Sequence, residues 1–137
     1  MMLILSLLTS LTWATSQSVE IIDALIAKDV VARQPVEPAE HFDAEVGALV
    51  CWTKVTSHAV PTKITHVWYY EDRQVMRIAL DVKTAKWRTW SRKTVHSNHT
   101  GRWKVEVLDE NGSLLKTVNF SVIDDAEPEA ESPESGG

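Results

Sequence analysis

The densest chemistry in the sequence lies between residues 83 and 104, where seven bases stand with no acid. They are Lys83, Lys86, Arg88, Arg92, Lys93, Arg102 and Lys104, and Trp87, Trp90 and Trp103 lie among them. Trp rings stack on sugars or bases, and Arg and Lys meet acidic groups. Strand alternation puts Trp87, Thr89 and Ser91 on one face and Arg88, Trp90 and Arg92 on the other. Trp87 then points to a core. Trp90 points outward between two arginines, where they can also stack on it within the protein itself. Trp103 alternates with Val105 and Val107 and belongs to the core. The expected ligand contacts are Arg88, Trp90, Arg92 and Lys93, with His66, Trp68 and Tyr70 as weaker ones.

Other chemistries find little support. His96 and His99 flank a short loop, but two imidazoles rarely suffice for a metal site, and no His-Glu-x-x-His pattern accompanies them. His66 sits in a strand beside Trp68, where a hydrogen-bonded structural role is the ordinary one. No Gly-x-Ser-x-Gly elbow occurs, and Cys51 has no spacing signal to any His. Asp109 and Glu110 occupy a turn, which acids favour. No catalytic residue, metal or cofactor is assigned.

These residues need a scaffold of modest size. The chain has 137 residues, 44% of them hydrophobic, with one Cys and six Trp. That length suits one domain, and the apolar fraction can fill a core. A single Cys excludes an intrachain disulfide framework. Fourteen Lys and Arg stand against nineteen Asp and Glu, a net charge of −5. The negative total argues against a general nucleic-acid binder. It is unevenly spread. Residues 124–137 hold six acids and no base, and the rest carries 14 bases against 13 acids. Residues 19–50 hold seven acids and two bases.

Both termini read as lying outside the fold. Residues 1–13 are uncharged and apolar, and small residues follow, the layout of a secretory signal cleaved after Ser16. The apolar stretch is shorter than the roughly 20 residues of a spanning helix, so contact with a membrane is expected only through the uncleaved signal. Cys51 is expected to be a buried small hydrophobe. Residues 124–137 read as a disordered acidic tail. The domain itself is placed at 17–123.

The body reads as strands. Residues 19–27 are rich in β-branched types, with Ile22, Ala24 and Ile26 on one face, although a helix is the alternative there. Residues 33–39 read as a loop, because two prolines remove donors. Strands follow at 46–55 and 63–70, then a tight turn at 71–74. The strand at 75–82 alternates, with Met76, Ile78, Leu80 and Val82 facing one way and Arg77 and Asp81 the other. Strands at 87–93, 102–108 and 114–122 complete the set, with a hairpin turn at 109–113 built on Asn111-Gly112. About seven short strands with regular turns imply an antiparallel immunoglobulin-like β-sandwich, with a small barrel as runner-up.

The tryptophan motifs carry a resemblance. Ile64-Thr-His-Val-Trp-Tyr, Trp87-Arg-Thr-Trp-Ser-Arg-Lys and Gly101-Arg-Trp-Lys-Val-Glu-Val-Leu-Asp resemble the domain-of-unknown-function 2914 family of bacterial exported proteins. Cys51-Trp52, Asn111-Gly112, Phe120 and Val31-Ala-Arg-Gln-Pro-Val fit the same arrangement, over most of residues 19–123. The resemblance implies a bacterial envelope or exported location and marks His66, Trp68, Trp87, Arg88, Ser91, Lys93, Gly101 and Trp103 as characteristic positions. It implies no catalytic role for any of them.

The reading that follows is a non-catalytic exported binding module. Its partner would be an anionic glycan, a peptidoglycan-like polymer or an acidic envelope-protein surface. The alternative is an assembly subunit that pairs an edge strand with a partner. A hydrolase with dispersed carboxylates is a third. The sequence assigns no oligomeric state. All three Asn begin an Asn-x-Ser/Thr triplet, and the sequence offers no account of that.

Overall fold

A computed structural model describes residues 18–124. The expected signal at 1–16 and nearly all of the acidic tail lie outside them. Ten strands follow in order: β1 (Val19–Ala27), β2 (Asp29–Val31), β3 (Gln34–Val36), β4 (His41–Asp43), β5 (Ala48–Ser57), β6 (Thr62–Tyr70), β7 (Arg73–Val82), β8 (Lys86–Thr94), β9 (Gly101–Leu108) and β10 (Leu114–Ile123). A single turn of 3-10 helix, Ala44–Val46, precedes β5. Among the described residues no helix is long and apolar enough to cross a membrane.

Seven strands have eight or more residues, as the alternation implied, and β2, β3 and β4 have three each. The long strands form two sheets, β1-β5-β8 and β4-β10-β9-β6-β7. All pairings are antiparallel except β4 with β10. This is a β-sandwich with strand order of immunoglobulin type: the first, second and fifth long strands against the other four.

Two apolar clusters fill the space between the sheets. Ile26, Phe42, Leu49, Cys51, Trp68, Trp103, Val105 and Phe120 pack toward one end. Val19, Val55, Ile64, Val82 and Val107 pack toward the other. Phe120 organises the first, meeting Phe42 and Trp68 edge-on at 6.2 and 6.1 Å and stacking on Trp103 at 5.8 Å. Such pairs contribute about 0.5–1.5 kcal/mol each beyond area burial.

The structure corrects two local expectations and qualifies a third. Ile22 does not share the inner face of β1, because a bulge between Ile21 and Asp23 turns it outward. Residues 33–39 are not all loop. β2 and β3 form a hairpin with Asp29 opposite Val36 and Val30 opposite Pro35. Its two-residue turn is Ala32-Arg33, with φ of 51° and 65°. Ile78 shares the face of Met76, Leu80 and Val82, as the alternation implied, but stays exposed on the edge strand β7.

Candidate functional site

The expected alternation in β8 is present. Its register with β5 sets Arg92 opposite Val50, Trp90 opposite Trp52 and Arg88 opposite Lys54. Cys51 packs in the core, so Val50, Trp52 and Lys54 take the outer face with Arg88, Trp90 and Arg92. That face is not bare. The β2–β3 hairpin lies across part of it, and Val50 and Trp52 are buried although they point away from the sandwich core. Trp52 Nε1–H donates to the carbonyl of Arg33 at 3.0 Å. Arg92 Nη2 reaches Asp29 Oδ1 at 2.8 Å, and this contact holds the Asp29 carboxyl below its usual range. The acidic N-terminal segment and the basic stretch therefore do meet.

Beyond the hairpin tip the face opens into a groove of about 490 Å3. It is lined by Ile22, Arg33, Lys54, Val55, Thr56, Lys86, Trp87 and Arg88. Four of these are cations and none is an acid. Arg33 leans over β8, donating to the Arg88 carbonyl at 3.2 Å, with its guanidinium 5.2 Å from the Trp87 ring centre. Trp87 is half-buried and packs its other side toward the second core cluster. Such an arrangement can hold anionic groups beside an apolar edge.

The remaining candidates lie elsewhere. Lys93 faces away from Arg88, Trp90 and Arg92, and its Nζ donates to the Thr94 carbonyl at 2.9 Å. Tyr70 sits toward the opposite end of the sandwich, donating its hydroxyl to the Thr100 carbonyl at 2.7 Å and stacking on His99 at 4.9 Å. His66 and Trp68 reach no solvent. The expectation that they join a surface is corrected, because alternation in β6 points both between the sheets.

There they form one hydrogen-bond chain. Trp68 Nε1–H donates to Ser91 Oγ at 3.0 Å, and Ser91 Oγ meets His66 Nδ1 at 2.7 Å. His66 Nε2 faces Thr53 Oγ1 at 3.4 Å, and Thr53 donates to the Thr89 carbonyl at 2.9 Å. A neutral imidazole with its proton on Nε2 satisfies every donor in turn. Burial pushes the His66 pKa down to about 4, which keeps it neutral.

Gly101 has a comparable local reason. Its φ is 122°, and a Cβ there would meet the Glu71 carboxylate. Glu71 Oε1 accepts from the Arg102 amide at 3.0 Å, while the Glu71 amide donates to the Arg102 carbonyl at 2.9 Å. Asp109 and Glu110 do turn work: Asp109 Oδ1 accepts from the amides of Asn111 and Ser113, both at 2.9 Å, and Glu110 accepts from Thr62. No group of three or more His, Cys, Asp and Glu among the described residues could hold a metal.

The sequence reading omitted Arg33, Lys54 and Ile22 from the site. Their approach to β8 depends on strand neighbours and on a bulge, which no local spacing displays.

Among curated proteins, none matches the chain. One solved structure similar to it is the extracellular domain of a protein described as a one-component system from B. thetaiotaomicron. Identity is 10% and the TM-score 0.38, over 82% of this chain and 16% of that one. At that score the likeness bears on neither fold nor function. The family model described as "Protein of unknown function (DUF2914)" matches residues 61–122, leaving Cys51-Trp52 and the hairpin outside it. Over that stretch, from β6 through almost all of β10, the chain is similar to the DUF2914 family, as its tryptophan motifs indicated.

Proposed function

We propose that the chain is a non-catalytic binding module exported to the bacterial envelope, recognising a glycan or acidic surface through the outer face of β8. One observation carries the reading: Arg88 and Trp90 stand on that face beside a groove lined by four cations and no acid. Exposed aromatic and apolar surface rimmed by charge marks interaction sites. The secretory signal read at residues 1–16 supports the exported location.

The test is retention of anionic envelope polysaccharide by the immobilised protein, with and without a soluble competitor. Arg88→Ala and Trp90→Ala are expected to weaken retention about tenfold while the thermal midpoint moves by only a few degrees. If both variants unfold the domain, the stretch is structural and the reading fails.

A second reading, assembly by strand pairing, is favoured by one margin only. β7 is the longer of the two edge strands of the five-stranded sheet and exposes Val75 and Ile78. The β8 edge is blunted where Arg33 covers the Arg88 carbonyl. Edge pairing predicts a stable partner whose capture ignores Arg88→Ala and is lost with Ile78→Pro.

A further inference from the structure

We infer that the groove beside Trp87 binds sulfate or phosphate ester groups carried on a glycan, and that Arg33 is its positioning residue. The inference rests on the binding-module reading and names the ligand chemistry of its site.

Three of the four groove cations are free of ion pairs among the described residues, while Arg33 is held by the Arg88 carbonyl and the Trp87 ring. Arg92, Lys63 and Lys28 sit in ion pairs with Asp29, Asp81 and Glu37. Among the described residues, Lys54, Lys86 and Arg88 form none. Glu20 and Asp23 of β1 stand opposite Thr56 and Lys54 in the strand register, and neither pairs with a groove cation. Both lie on the β1 side, outside the groove lining.

The cations are also tightly grouped. Lys86 and Arg88, two residues apart on one strand face, are separated by roughly 7 Å, and Lys54 lies one strand over, at roughly 5 Å. This density suits a group bearing several acceptor oxygens, which lysine meets as a point charge and arginine with a planar fork.

Arg33 is held in place at some conformational cost. Ala32 and Arg33 both have positive φ, uncommon for residues with a Cβ. The Trp52 indole fixes the turn by bonding the Arg33 carbonyl. The Arg33 guanidinium occupies the approach to the Trp87 ring. A flat base or sugar stacking there must displace it, so charge rather than ring stacking governs recognition at this point. A carrier sugar instead meets Ile22, which the β1 bulge turns into the groove at 49% exposure. Bulges often re-aim a side chain beside a site.

The experiment measures binding of the full chain to dextran sulfate, a phosphorylated mannan and neutral dextran. Lys54→Ala/Lys86→Ala and Arg33→Gln are the groove variants, and Lys116→Ala is an exposed control outside the groove. Both charged polymers should bind and neutral dextran should not. The groove variants should weaken binding at least about tenfold and flatten its salt dependence, while Lys116→Ala changes it less than about twofold. Equal binding of neutral dextran, or equal loss with Lys116→Ala, overturns the inference. So does displacement of the polymer by micromolar inorganic phosphate, which marks a free-ion site. If neither charged polymer binds while envelope polysaccharide is still retained through Arg88, the groove inference fails and the module reading stands. If nothing is retained, both fail.

Discussion

His66 of β6 and Ser91 of β8 join the two sheets of the sandwich through a 2.7 Å hydrogen bond between Nδ1 and Oγ. Antibody domains make their inter-sheet link with a disulfide beside a buried Trp. Here the buried Trp68 is present, Cys51 is unpaired, and a chain of polar side chains spans the gap. Every buried side-chain donor and acceptor among the described residues has a partner. The link is directional, so removing one member orphans its neighbours.

Ser91→Ala should therefore be costly for so small a change. It leaves the Trp68 indole N–H and His66 Nδ1 unpaired away from water. The expected loss is about 2–6 kcal/mol, at about 1–3 for each buried orphan. Urea unfolding at neutral pH checks it. A loss below about 1 kcal/mol would show that the link carries no weight.

Stability should depend on His66 protonation. Its pKa falls from 6.5 to about 4 in the folded state because burial disfavours the cation. Between those values the unfolded chain binds a proton that the folded chain refuses. The contribution is thus complete above about pH 6.5, declines as pH falls, and levels off near 4. Its size is about 3 kcal/mol. Asp29 and Asp81, held low by Arg92 and Lys63, act only below that window. Urea midpoints at pH 7.5 and 4.5 should show the decline in the wild type and much less of it in His66→Gln.

Gly101→Ala should destabilise by about 1–3 kcal/mol, since it combines a φ that side chains rarely adopt with a clash. Glu71→Ala removes the carboxylate that a Cβ at Gly101 would meet. The double variant should accordingly lose less than the sum of the two single losses. A double-mutant cycle by thermal unfolding reads this directly, and strict additivity would contradict the contact.

Cys51 should be inert in the folded protein. Burial raises its thiol pKa well above the ordinary range, and the side chain is fully enclosed in the core. Labelling by a disulfide reagent at pH 8 should be slow in buffer and rapid in denaturing urea. Fast native labelling would mean that the sheets open readily around β5.

The periodic parts of this structure were legible in the sequence, and the interruptions were not. β1 begins and ends where the β-branched run does, and the alternation of Arg88, Trp90 and Arg92 survives because β8 pairs with β5 without a bulge. One inserted residue moved Ile22 to the other face. The hairpin was hidden because Ala32-Arg33 lacks the Asn or Gly expected in such a turn, and because Pro35 argues for a loop. His66 and Trp68 were expected as weaker contacts together with Tyr70, although depth depends on the opposing sheet. Lys54 is separated from Arg88 by 34 positions in the sequence and by one strand in space.

The groove is assembled from two stretches of chain with different standing. Lys86, Trp87 and Arg88 fall within the span that resembles the family, while Ile22, Arg33, Lys54, Val55 and Thr56 precede it. The preceding stretch holds the hairpin tip and the bulge, features that exchange can alter without disturbing the β6–β10 framework. Under the proposed function, a groove built this way lets two proteins share the β6–β10 framework without sharing a target.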